Sequence, residues 1–287
     1  MASSENNYVF DPDSPEELAR LTHQDRLLTK AMGGVFQGVS ASEVTTFRNV
    51  LDLGCGPGGW VLDVAFEYPN IEAAGIDIGR PMVDYANARA RSQQLTNASF
   101  GVMDFNQPLD FPDGAFDLVN GRLLIGSLLR EIWPRFLAEC TRILHPGGRL
   151  QITEPIDLGV TSSPALDRMA QMMFEGSLRA GLGFPVGNRT ANTTHMLPRL
   201  FREAGYQNIK LIGHAIEFSA ETEAWTDLYR NFEVAYHMAR PLFIQTGLIT
   251  DEDFEKLYQE MLIEMHASDF VGVWNMLTVT GTKPEAQ

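Results

Sequence analysis

The stretch VLDLGCGPGGW, Val50 to Trp60, decides how the rest of the chain is read. Its apolar opening is that of a buried strand, its glycines are those of a tight turn, and the VLDVAFEY that follows has the pattern of a helix. Glycines at such a junction let backbone N–H groups approach an anion or a polar ligand with no Cβ in the way. Two spacings fit the run. From Gly54 it reads Gly-x-Gly-x-x-Gly, ending at Gly59; from Asp52 it reads Asp-x-Gly-x-Gly-x-Gly, ending at Gly58.

Working outward, strand and helix patterns alternate. IEAAGID reads as a second strand, RPMVDYANARARSQQ as a helix with Pro81 near its start, and ASFGVMD as a third strand. FDLVNG follows as a fourth, then a helix from about Ser127 to Leu144, then RLQITEP as a fifth. This rhythm predicts an α/β fold, a doubly wound, Rossmann-like parallel sheet with right-handed crossovers, whose ligands lie beyond the carboxyl ends of the strands. NIKLIGHAIEF and VGVWNMLTVTGTK supply two later strands, separated from the rest by helical inserts at about 156–205 and 219–268. Ahead of the main domain, 47–287, the segment 1–46 reads as a helical lid in which Leu18, Leu21, Leu27 and Leu28 recur at helical spacing.

Composition narrows the partners. With 287 residues and 44% hydrophobic content the chain can bury a full core. A net charge of −15 repels a phosphate backbone, so nucleic acid is not expected as a partner. No run reaches the roughly 18 apolar residues of a membrane span, and the opening MASSENNYVFDPDSPEE is polar and acidic. A cytoplasmic protein without a membrane partner is the expectation. Cys55 and Cys140 suggest neither a disulfide framework nor a metal site.

The acids at the strand ends distinguish the two readings of the glycine run. A dinucleotide would place a pyrophosphate beside Asp52, which its carboxylate opposes. S-adenosylmethionine presents a sulfonium and an ammonium, which the same carboxylate complements. Asp77, ending the second strand, suits the ribose hydroxyls of either cofactor. Asp104, ending the third, can accept from an adenine amino group while Phe105 offers its backbone N–H to the ring.

VLDLGCGPGG, GIDI, VMDF, FDLVNGR and ILHPGGRL, in this order and spacing, resemble the successive motifs of class I S-adenosylmethionine-dependent methyltransferases. The flanking segments resemble the small-molecule branch related to the ubiquinone and menaquinone enzymes. The resemblance implies a seven-stranded sheet of order 3-2-1-4-5-7-6 with the seventh strand antiparallel. It also implies roles: Gly54, Gly56 and Gly58 around the methionine portion, Asp77 at the ribose, Asp104 and Phe105 at the adenine, with Ile78 a further cofactor contact. Asn120 and Gly121 would lie on the sulfonium side, and Tyr8 and Gln24 at the cofactor's carboxylate end.

For the substrate side the residues leave alternatives open. Arg122 can meet a carboxylate or phosphate, or pair with a helix acid such as Glu131. His195, His214 and His237 are general-base candidates, each weighed against an ordinary packed or solvated role; the choice falls on His195 and His237 with Arg122. Glu154 reads as either a substrate contact or a cap, and the Met and aromatic stripes of the inserts as mainly core. The expected function is methyl transfer to an O, N or C nucleophile of a small molecule, without a metal, and with a homodimer left open. The alternatives are an NAD(P)-dependent oxidoreductase and a non-catalytic binding protein of the same fold.

Overall fold

The computed structural model describes residues 10, 14–186 and 189–285. Helix α1 (Pro15–Ala31) starts where Ser14 caps it, its side chain accepting the Glu17 N–H, with Pro15 in the first turn and Lys30 in the last. After a connector and the short α2 (Ala41–Val44) the chain enters β1 (Asn49–Leu53), α3 (Gly59–Glu67), β2 (Glu72–Asp77), α4 (Arg80–Ser92) and β3 (Ala98–Val102). β4 (Phe116–Arg122) leads through a 3-10 turn (Leu124–Gly126) to α5 (Trp133–Ile143) and β5 (Leu144–Pro155). Then come β6 (Val160–Thr161), α6 (Pro164–Arg179), the β7 (Phe184–Val186) and β8 (Arg189–Asn192) pair, α7 (Leu197–Glu203) and β9 (Gln207–Glu217). The cover helices α8 (Trp225–Gln245) and α9 (Asp251–Met265) precede β10 (Gly272–Thr282).

The sheet runs β3-β2-β1-β4-β5-β10, with β9 on the far flank of β10. β1 to β5 pair in parallel, whereas β10 is antiparallel to both β5 and β9. That is the expected order, 3-2-1-4-5-7-6, when β9 and β10 are counted as its sixth and seventh strands. β6 adds two pairs, Gly272↔Thr161 and Val273↔Val160, along the flank of β10 that β5 occupies further on. The rhythm of the sequence missed this strand and the β7–β8 pair; elements of two to four residues are too short to show a period.

Strand alternation sends side chains to two cores. Leu51, Leu53, Val119 and Ile152 pack with Trp133, Phe136 and Phe201 from α5 and α7. Val50 and Leu118, of opposite parity, pack with Val35, Trp60 and Val61 on the α3 face. A third cluster joins α1, α6, α8 and α9 over β9 and β10 and contains Met169, Met172, Phe232, Tyr236 and Phe243, so those stripes are core. Among the described residues no helix is long and apolar enough to cross a membrane.

Candidate functional site

β1 ends at Leu53 and the chain turns through Gly54, Gly56 and Gly58, all at positive φ (67°, 50° and 79°). A Cβ on Gly58 would come within 2.6 Å of the Phe100 ring and 2.8 Å of the Ala86 Cβ, so only glycine closes this turn without moving a neighbour. The turn opens onto a cavity with about 980 Å³ of empty space, partly open to solvent. Among the described residues its wall carries four carboxylates, Asp25, Asp52, Asp77 and Asp104, and one guanidinium, Arg122.

Asp77, at the end of β2, accepts the Gly56 N–H at 2.9 Å through Oδ2 and the Gly79 N–H at 2.8 Å through Oδ1. It thereby ties the glycine turn to the start of α4 and keeps a lone pair on each oxygen for a hydroxyl donor. Burial pushes its carboxyl upward, against the pull of those N–H groups. Asp104, just beyond β3, accepts the Asn106 N–H at 2.8 Å. Phe105 is nearly buried, its ring edge-on to Phe136 at 5.9 Å. Asn106 is also on the cavity wall, and its side-chain carbonyl is buried with no partner among the described residues, an acceptor left free.

Asp52 is 4% exposed. Burial raises its carboxyl to about 7, opposed by the hydrogen bond from Asn120 and reinforced by the charge of Asp77. Asn120 Nδ2 donates to it at 2.7 Å.

Across the cavity, Arg122 ends β4. Its Nη2 pairs with Asp25 and its Nη1 donates to Thr29 Oγ1 at 3.0 Å, both partners lying on α1. Burial lowers its guanidinium to about 10. Asp25, not Glu131, is therefore the helix acid that Arg122 meets. The Asp25 carboxylate also lies against Gly59, where a Cβ would collide with it. Next, Leu123 adopts φ 59° and ψ 34°, a conformation that a leucine rarely takes. Glu154, fully buried at the end of β5, accepts the N–H of Leu124 at 2.7 Å and of Ile125 at 3.3 Å and so pins this turn. Burial raises its carboxyl to about 8. Glu154 thus caps the turn and does not line the cavity.

Of the residues singled out from sequence, Gln24, Gly54, Gly56, Asp77, Ile78, Asp104, Phe105 and Arg122 share the cavity wall. Gly58, Asn120 and Gly121 stand behind it: Gly58 closes the turn, Asn120 holds Asp52, and Gly121 leaves room for Leu124. Tyr8 lies outside the described residues. His195 and His237 are not brought to the cavity. His195 is exposed ahead of α7, and His237 is exposed on α8 with its ring 5.8 Å from that of Tyr258. His214 faces Thr278 within the sheet at 2.9 Å.

Sequence reasoning missed Asp25. The available signal was a polar pair, Gln24 and Asp25, set between Leu21 and Leu28 at the i, i+3, i+4, i+7 positions of one helix face.

The residues fit the S-adenosylmethionine that the motifs imply: a glycine turn at the end of β1, carboxylates for cationic and hydroxyl groups, and an orphan acceptor beside Phe105. Residues 50–148 match the family described as "Methyltransferase domain". The chain is 36% identical over 119 residues to aklanonic acid methyltransferase DauC of Streptomyces sp., covering 41% of this chain and 53% of that protein. It is 30% identical over 188 residues to demethylmenaquinone methyltransferase of Lactiplantibacillus plantarum, covering 60% of this chain and 76% of that one. The chain thus spans about half the length of the first of these relatives. In fold it is similar to phosphoethanolamine N-methyltransferase 2 of Haemonchus contortus, solved with phosphomonomethylethanolamine and S-adenosylhomocysteine. That likeness has TM-score 0.51 and 17% identity, and covers 93% of this chain and 52% of that one.

Proposed function

The chain belongs to the class I S-adenosylmethionine-dependent methyltransferases, and on that premise we propose that it methylates an oxygen, nitrogen or carbon nucleophile of a small-molecule metabolite. The observation that carries this reading is the charge of the cavity wall. Asp25 and Arg122 neutralise one another, leaving Asp52, Asp77 and Asp104 to face the ligand. Three carboxylates complement a cofactor with a sulfonium and an ammonium and oppose a pyrophosphate.

When bound, S-adenosylmethionine supplies an electrophilic methyl carbon on a positively charged sulfur. The chain's part is to hold, align and exclude water. In this reading Asp77 takes the ribose hydroxyls, Asp104, Phe105 and Asn106 the adenine, and Asp52 the cationic end. Leu28, Leu123, Leu124 and Ser127 lie on the wall beside Arg122, where an acceptor would approach. No histidine lines the cavity among the described residues, which favours alignment over a dedicated imidazole base.

We read 1–46 as a lid, because Leu21, Gln24, Asp25 and Leu28 of α1 form part of the wall. The net charge of −15 supports a small-molecule role rather than one on nucleic acid, and we place that role in the cytoplasm. Calorimetric titration with S-adenosylhomocysteine and, separately, with NADH tests the cofactor: binding of the first alone is expected, and binding of NADH alone would overturn the reading. Release of S-adenosylhomocysteine across a panel of phenols, quinols and amines then identifies the acceptor.

A further inference from the structure

From Asp52 on the cavity wall, three polar side chains cross the middle of the sheet in one row. Asp52 on β1 is in register with Asn120 on β4, and Asn120 with Gln151 on β5. All are buried, and they point to the α3 face, where their strand neighbours are apolar. Polar groups so placed are costly unless each is satisfied.

They are satisfied in sequence. The backbone N–H of Gln37 donates to Gln151 Oε1 at 2.9 Å; Gln151 Nε2 donates to Asn120 Oδ1 at 2.8 Å; Asn120 Nδ2 donates to Asp52 Oδ1 at 2.7 Å. The direction is not arbitrary. An amide side chain can be turned either way, but a backbone N–H can only donate. Gln37 therefore fixes the oxygen of Gln151 toward itself, which turns the nitrogen of Gln151 to Asn120 and the nitrogen of Asn120 to Asp52. Val35 agrees, its carbonyl accepting from Gln151 Nε2 at 3.3 Å and from Trp60 Nε1 at 3.0 Å. Every N–H dipole in the row points at the Asp52 carboxylate and favours its charged form.

The row begins on the connector between α1 and α2. Gly33 and Gly34 there have φ of 81° and 125°, so the segment bends sharply where it leaves the helix that lines the cavity. The Gln37 side chain braces that bend by donating to the Gly34 carbonyl at 2.7 Å.

We propose that Gln151 is a positioning residue that couples the seating of the Gly33–Gly38 connector, and with it α1, to the negative charge Asp52 presents to the cofactor. The proposal rests on the cofactor reading above. Seating the connector aligns the row and strengthens the hold on a cationic ligand; by linkage, a ligand held at Asp52 secures the connector. Gln151 does not line the cavity, and its side chain bonds to Gln37 and Val35 of the connector and to Asn120 rather than to α1.

The test is calorimetric titration of S-adenosylhomocysteine into the full chain and its Gln151→Met variant, with hydrogen exchange across residues 33–38 measured with and without that ligand. In the natural chain the ligand should slow exchange at 33–38. In Gln151→Met, affinity should fall at least fivefold and exchange at 33–38 should no longer respond, an effect that lost stability alone would not produce. Unchanged affinity with the response intact would overturn the coupling while leaving the cofactor assignment standing. Failure of the natural chain to bind S-adenosylhomocysteine would overturn both. Should Gln151→Met not fold, Gln151→Glu keeps the acceptor for the Gln37 N–H but loses the donor to Asn120; it must weaken binding likewise, and unaltered binding would overturn the proposal.

Discussion

Arg122, at the end of β4, is ion-paired with Asp25 in the middle of α1, so the central sheet is tied to the first helix across the cavity mouth. With side-chain exposures of 9% and 15%, neither charge has much water to turn to if the other is removed. Asp25→Ala should therefore cost about 3 kcal/mol in urea unfolding, as breaking a buried pair does. Asp25→Ala with Arg122→Met should recover part of that loss. An Asp25→Ala variant as stable as the natural chain would show that the pair does not hold the helix.

Asp77 serves the site twice, through the Gly56 and Gly79 N–H groups it accepts and through the oxygens it keeps for a ligand. Asp77→Ala is expected to weaken S-adenosylhomocysteine more than tenfold, on the scale of a lost charge-assisted pair at about 1.5–3 kcal/mol. Calorimetry at a temperature where the variant is folded measures this, and unaltered affinity would remove Asp77 from the ribose role.

Burial raises Asp52 to about 7 and Glu154 to about 8, while such acids titrate near pH 4 in an unfolded chain. The folded protein then binds more protons than the unfolded one over that interval. The stability these two contribute is full below about pH 4 and lost as pH rises through 7 and 8. Urea midpoints should fall from pH 5 to pH 8.5, and Asp52→Asn should flatten part of the decline. Affinity for S-adenosylmethionine should move the opposite way, rising by up to about tenfold from pH 6 to pH 8 as Asp52 ionises; a flat profile would count against Asp52 as the partner of its cationic end.

His195 and His237 lie away from the cavity. Replacing each with alanine should leave kcat/KM within about twofold, since surface changes remote from a site act weakly. A hundredfold loss in either would show that the acceptor binds elsewhere than beside Arg122.

What was legible in the sequence follows from periodicity. Strand alternation and glycine turns located β1 to β5, and the end of a parallel strand is where a ligand-facing acid must stand, so Asp77 and Asp104 could be found without coordinates. Asp25 could not, because a helix period shows which residues share a face but not what that face meets. The same blindness sent the histidines to the cavity. α5 begins at Trp133 rather than near Ser127, because the intervening chain bonds to the segment after α6, Leu129 bridging to Leu182 and the Arg130 N–H donating to the Gly181 carbonyl, a long-range contact that no local pattern announces.

The antiparallel placement of β10 has a consequence for how such proteins diversify. Glu217, the last residue of β9, stands opposite Val273, so everything between them leaves and rejoins the sheet at one point. The α8–α9 excursion is a loop in the topological sense, whatever its length, and no strand must shift register to accommodate a longer, shorter or wholly different one. The part of the chain that covers the sheet can be exchanged like a tool head, while the part that reads the cofactor keeps its geometry.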